Sequence, residues 1–253
     1  MKDIKLSANL KEGFLKEARQ RQMELAIRVE VVALSIVPRL VAGVDAAFLG
    51  DKIIGSACLH RYEGLDRLEA ASVVQDVEFP YVPGFLSFRE SPVMLNALKA
   101  LSTLPDLIIV DGQGIAHPRR IGLASHIGVL LGIPTIGCAK SLLIGTHDNP
   151  GPLKGDWQYL YDRGQVIGAA LRSRKNVKPL YISPGHLINI ADSISVILHT
   201  TTRYRLPEPI RCAHNLSAEE KGRRRREGSA LPQTPPTRGG VRHPGHKEVP
   251  LTS

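Results

Sequence analysis

The sequence predicts an α/β domain built on a mixed β-sheet flanked by helices. Two patterns predict it: a meander of strand-length apolar runs between residues 40 and 79, then helical and short buried-strand patterns alternating up to residue 200. A hydrophobic fraction of 43% over 253 residues is ample for the core such a sheet requires. No internal repeat is present.

Residues 11–28 are charged, with Phe14, Ala18 and Leu25 on a fair helical spacing. Residues 40–48 and 52–59 flank Leu49-Gly50-Asp51 and predict a hairpin. A third strand is expected over 70–79, after a polar loop containing Gly64, and the Pro/Gly-rich loop 80–84 follows. Ser91-Pro92 reads as an N-cap and first-turn proline, with Met94, Leu98 and Leu101 on one helical face and Pro105 as the stop. The continuous run 107–110 predicts a strand buried on both faces. Leu123, Ile127, Leu130 and Leu131 mark a second helix closed by Gly132 and Pro134. Residues 135–138 form another buried strand, 158–161 and 166–171 a hairpin around Asp162-Arg163-Gly164-Gln165, 180–183 a strand, and 187–200 the last helix of the body.

Residues 217–253 differ in kind. They carry eight Lys or Arg against four Glu, five Pro and five Gly, so nearly half of the net +9 lies there. Such a segment buries too little apolar surface to offset its ordering entropy and reads as a disordered basic tail, either a nucleic-acid tether or a solubilising extension. The domain is therefore drawn as 1–216. Cys58, Cys138 and Cys212 contain no C-x-x-C pair, which excludes zinc-ribbon and thioredoxin chemistry. The start MKDIKLSANLKEGF has no apolar signal region, and the uncharged run 127–139 is broken by glycines and Pro134. A cytoplasmic protein without a membrane partner is expected.

The informative residues are acids at strand positions. Asp45 interrupts VAGVDAAF and Asp111 ends LIIVD. A carboxylate in a buried strand is costly unless something cationic compensates it. If the two strands are neighbours, the pair lies roughly 5 Å apart and a divalent metal relieves the repulsion, Mg²⁺ or Mn²⁺ suiting oxygen ligands. Alternatively Asp45 is hydrogen-bonded and Asp111 starts a turn. Asp111-Gly112-Gln113-Gly114 does not complete a dinucleotide fingerprint, because His117 stands at its sixth position. Neither a Walker A loop nor a G-x-S-x-G elbow is present. His117-Pro118-Arg119-Arg120 sits before a helix start, a good phosphate position. Tyr81, in the proline-stiffened loop Pro80-Tyr81-Val82-Pro83-Gly84, is either a wedge against a nucleobase or a buried cap on the sheet.

The runs VAGVDAAF, FPYVPGFLSFRE, IVDGQGIAHPRRIGLASHIGVLLGIPTIGCAKSLLIG and YISPGHLINIADS resemble the endonuclease V family over roughly residues 10–216. The resemblance implies a ribonuclease H-like fold. It also implies Mg²⁺-dependent hydrolysis (Mn²⁺ able to substitute) of the second phosphodiester bond 3′ to deoxyinosine, leaving 3′-hydroxyl and 5′-phosphate. By the same resemblance Asp45 and Asp111 are metal ligands, Glu90 is the third acid, and His214 is a further metal ligand. Lys140 offsets charge on the scissile phosphate. Tyr81 is the wedge, carried by Pro80, Val82 and Pro83. Gly84, Leu86, Gly122, Ala139 and Leu142 form the base pocket, and Arg89, His117, Ser183 and His186 touch phosphates. The expected partner is DNA containing deoxyinosine or another deaminated base, bound by a monomer. Inosine-containing RNA, branched DNA, and non-catalytic nucleic-acid binding are the alternatives.

Overall fold

The computed structural model describes residues 8–229. Its elements are α1 (Ala8–Ala26), β1 (Leu40–Leu49), β2 (Lys52–Arg61), β3 (Arg67–Asp76), α2 (Leu86–Lys99), β4 (Leu107–Val110), α3 (Leu123–Leu131), β5 (Thr135–Ala139), β6 (Trp157–Asp162), β7 (Gln165–Leu171), β8 (Leu180–His186), α4 (Ile190–Thr200) and α5 (Glu208–Ser229). The strands form one eight-stranded sheet in the order β3-β2-β1-β4-β5-β8-β7-β6. β1, β4 and β5 run parallel and every other neighbouring pair is antiparallel. The expected mixed sheet is thus present. Among the described residues no helix is long and apolar enough to cross a membrane.

Period-two alternation sorts the side chains to two faces. Val41 of β1 with Leu107 and Ile109 of β4 point to the layer holding Ile194 and Ile197 of α4 and Ile210 of α5. Ala42, Val44, Ile108 and Val110 point the other way, to Met94 and Leu98 of α2 and Ile127 of α3. The hairpin of β6 and β7 closes with Asp162 opposite Gln165. Its two loop residues, Arg163 and Gly164, take φ 53° and 74°, the backbone a two-residue turn between right-twisted strands requires.

Several boundaries differ from expectation. α2 begins at Leu86, so Ser91 is not its cap and Pro92 lies inside the helix, where it removes one helical hydrogen bond. The early start is set by aromatic packing, because Phe79, Phe85 and Phe88 stack at 5.4–6.3 Å. β3 starts and ends three residues before the expected 70–79. β8 runs on to His186, and Asn189, whose side chain accepts from the Asp192 N–H at 2.8 Å, starts α4 later than expected. The largest correction is α5. It was absent from the sequence reading, and it carries ordered helix through 217–229, the first third of the segment expected to be disordered. The rest of that tail lies outside the described residues.

Candidate active site

Parallel pairing of β1 with β4 sets Val44 opposite Val110, so Asp45 and the residue that follows β4, Asp111, stand side by side. The Asp111 N–H donates to the Val44 carbonyl at 3.3 Å. Both acids project to the face covered by α5, and Asp45 is only 7% exposed. α5 supplies His214, whose Nδ1 lies 3.2 Å from Asp45 Oδ2. Two features fix that helix. At Gly43 a Cβ would lie 2.1 Å from the Pro209 backbone, so only glycine lets α5 approach this closely. Two residues before His214, Cys212 is disulfide-bonded to Cys58 of β2, with Cα atoms 6.1 Å apart. Lys140, just beyond β5, ion-pairs with Asp111. Its loop is held by Arg205, which donates to the Lys140 carbonyl at 3.0 Å, and by Gln113, which donates to the Ser141 carbonyl at 3.1 Å.

Burial and the neighbouring Asp111 hold the Asp45 carboxyl above its usual range, against the opposing pull of His214 and Lys140. Glu90 of α2 is pushed up to about 8, first by burial and then by the charges of Asp45 and Asp111. Three acids are therefore gathered where they repel one another. Asp45, Asp111 and His214 each offer a ligand atom, all within 4.8 Å of one another, and Glu90 lies outside that group of three. Two carboxylates and an imidazole, two of them already pressed against cationic or hydrogen-bonding partners, form a donor set that fits a divalent cation.

The loop 80–84, which leads into α2, projects Tyr81, which is 70% exposed. It is not a buried cap. The loop is braced from below: the Gly84 carbonyl accepts from Gln22 Nε2 at 3.0 Å and from Arg119 at 2.5 Å, and Arg119 Nε donates to Gln22 Oε1 at 2.5 Å. Gln22 is completely buried on α1 and sequence reasoning missed it. A polar residue in a charged helix gives no signal until its partners, 62 and 97 residues away, are known.

The remaining expected site residues divide. Leu86 and Leu142 are 41% and 42% exposed, while Ala139 ends β5 nearly buried. Gly122 is not free to read a base edge, since its N–H donates to Gly114 and its carbonyl accepts from His126. Ser183 is fully buried and its Oγ accepts from the Gly114 N–H at 2.8 Å, so it shapes the glycine loop instead of meeting phosphate. His186, paired with Thr135 at the other end of β5 from Ala139, accepts at Nδ1 from the Glu30 N–H and lies away from the centre. His117 is buried, and burial followed by the Arg119 charge lowers it to about 4, which leaves it neutral and unsuited to hold phosphate by charge. The arginines beside it are spent on the fold, Arg119 on Gly84 and Arg120 on Asp162 at 2.7 Å. Arg89 donates to the Phe79 carbonyl at 3.1 Å and lies 4.6 Å over the Phe48 ring.

Residues 22–215 match the family model for Endonuclease V. An Endonuclease V from Dictyoglomus turgidum is 51% identical over 176 residues, which is 70% of this chain and 77% of that protein. The crystal structure of the Streptomyces avermitilis Endonuclease V has a TM-score of 0.79 and 41% identity over 85% of this chain and 94% of its own. A Ciona intestinalis Endonuclease V variant, solved in complex with a 23mer DNA containing an inosine followed by a ribo-adenosine, matches with TM-score 0.73 and 25% identity over 83% of this chain and 98% of its own. With the ribonuclease H-like sheet, the paired acids and these matches together, the chain belongs to the Endonuclease V family and is an endonuclease that hydrolyses DNA.

Proposed function

We propose that this chain is a Mg²⁺-dependent repair endonuclease that recognises deoxyinosine and cleaves the second phosphodiester bond 3′ to it, leaving 3′-hydroxyl and 5′-phosphate. The observation that carries the reading is the group Asp45, Asp111 and His214 with Lys140 beside it, in a chain that also presents an exposed Tyr81 on a braced loop. Asp45, Asp111 and His214 would hold Mg²⁺, with Mn²⁺ as a substitute. When bound, the cation supplies a Lewis acid for the phosphate and an activated water for attack. Lys140 places its ammonium where charge grows on the scissile phosphate. Glu90 keeps a proton on its carboxyl near neutrality, chiefly because it is buried and secondly because it faces Asp45 and Asp111.

Tyr81 fills the gap left when the damaged nucleotide turns out of the helix, a step that costs least at a weakened pair. Leu86 and Leu142 offer exposed apolar surface for the face of the extruded base. The inosine-containing ligand of the Ciona relative supports the choice of lesion, and its ribo-adenosine favours inosine-containing RNA as a second reading. Matched DNA and RNA strands, each with and without one inosine, incubated with Mg²⁺, with Mn²⁺ and with chelator, test both. Inosine-dependent, metal-dependent cleavage that Asp45→Ala abolishes is expected. Cleavage of inosine DNA that survives Asp45→Ala, or that ignores the inosine, overturns the reading.

A further inference from the structure

β6 forms one edge of the sheet, and its odd-numbered residues are Trp157, Tyr159 and Tyr161. They share one face and are 37%, 42% and 44% exposed, whereas Leu160, between them, is buried on the opposite face. The ladder partners of Trp157 and Tyr159 in β7, Leu171 and Ala169, are fully buried in the core that α4 shares, while Val166 opposite Tyr161 is 38% exposed. The aromatic row therefore continues the face covered by α4 out to where that helix no longer covers it. Neighbouring rings meet edge to face, at centroid separations of 4.7 and 6.1 Å. Three large aromatics left more than a third exposed on a strand edge are costly to leave uncovered.

A basic loop joins this row to the carboxylate centre. Residues 172–179 contain Arg172, Arg174, Lys175 and Lys178 and no acid; the Arg172 guanidinium is spent on the carbonyls of Gly151, Pro150 and Val177, and the exposed charges are Arg174, Lys175 and Lys178. At one end of the loop the Arg172 N–H donates to the Asp156 carbonyl, next to Trp157. At the other end Arg205 donates both to the Lys178 carbonyl at 2.8 Å and to the carbonyl of Lys140. Lys154 adds a further cation before β6, its Nζ donating to the Thr201 carbonyl at 3.0 Å. Positive charge leading from a phosphate-cleaving centre to exposed rings is the pairing that tracks a nucleic-acid strand and stacks its bases. Spacing decides which form. The ring centroids, 4.7 and 6.1 Å apart, are wider than the ~3.4 Å per nucleotide of a duplex strand, so the row suits the unstacked bases of an extended single strand.

We propose that Trp157, Tyr159 and Tyr161 form a stacking platform for a single-stranded flank of the nucleic acid cleaved at Asp45 and Asp111, led there along the basic loop 172–179. The inference rests on the function proposed above. Its test compares the full-length protein with Trp157→Ala/Tyr159→Ala and with Trp157→Phe/Tyr159→Phe. Binding is measured by anisotropy in chelator on a blunt inosine duplex and on the same duplex bearing a single-stranded extension on one strand or the other. The wild type should bind one extended substrate about tenfold or more tightly than the blunt one. The alanine pair should lose that gain while matching the wild type in affinity for, and Mg²⁺-dependent cleavage of, the blunt duplex, and the phenylalanine pair should keep the gain.

An extension that brings no gain to the wild type overturns the platform, as does a gain that the alanine pair retains. Alanine variants that change the mass in solution and leave nucleic-acid binding intact would make the row a contact between copies of the chain, which also overturns it. These results leave inosine-dependent cleavage standing. Loss of inosine-dependent cleavage in the wild type itself would instead overturn the underlying reading.

Discussion

Glu90→Gln converts the most strongly displaced acid of the centre into a neutral isostere. In the folded, metal-free protein the Glu90 carboxyl titrates at about 8 instead of 4.5, because it is buried and faces Asp45 and Asp111. The folded state therefore holds a proton that the unfolded chain releases between those two pH values. Stability is fully present below 4.5, falls as pH rises through the window, and levels off above 8. At 1.36 kcal/mol per pH unit, that displacement corresponds to roughly 4 to 5 kcal/mol lost across the window. Asp45, also displaced upward, adds to the slope in the same direction. Urea unfolding of chelator-treated protein across this range should show the wild type losing stability with rising pH and Glu90→Gln losing much less. Added Mg²⁺ should make the wild-type curve less steep, since it offsets the part of the displacement that Asp45 and Asp111 cause. Equal slopes in both proteins, or a wild type that gains stability toward pH 8, would refute the account of the acidic centre.

Three further outcomes are expected. Gly43→Ala forces a methyl into the Pro209 backbone and should cost about 1–3 kcal/mol by overpacking, while lowering cleavage because α5 carries His214; thermal melts beside a cleavage assay check both. Gln22→Ala leaves Arg119 and the Gly84 carbonyl short of a buried partner. It should destabilise the fold by about 1–3 kcal/mol, with faster proteolysis of the loop 80–84. Tyr81→Ala should weaken binding to an inosine duplex by about 1–3 kcal/mol and weaken binding to undamaged DNA much less; equal losses on both would show that the residue only supports the loop.

The acidic centre was legible because the signal was local. Asp45 and Asp111 interrupt or end apolar runs; that their strands are neighbours was a condition of the reading, and the parallel pairing of β1 with β4 meets it. The hairpins were legible for the same reason, as apolar runs around short turns. α5 was not. Its buried positions Ile210, Ala213 and Ser217 do follow helical spacing, but they are few, and KGRRRR directly behind them carries the signature of an unfolded tail. The cationic run at His117 misled for a different reason. Its arginines are satisfied by Gly84 and Asp162, partners 35 and 42 residues away, and burial keeps the histidine neutral. Sequence displays charge, whereas availability depends on long-range partners. Ser183 and His186 mislead likewise, since the motif places them but hydrogen bonding to Gly114 and Glu30 consumes them.

The bond between Cys58 and Cys212 spans 154 residues, from the second strand of the sheet to its last helix. Every connecting loop from 62 to 207 lies within that covalent ring. A protease that cuts one peptide bond in the exposed stretch 174–176 would open the ring and leave two pieces joined by the disulfide. Under denaturing conditions the two pieces would travel as one species until a thiol reductant separated them, and in the folded protein His214 would stay tied to the strand beside Asp45.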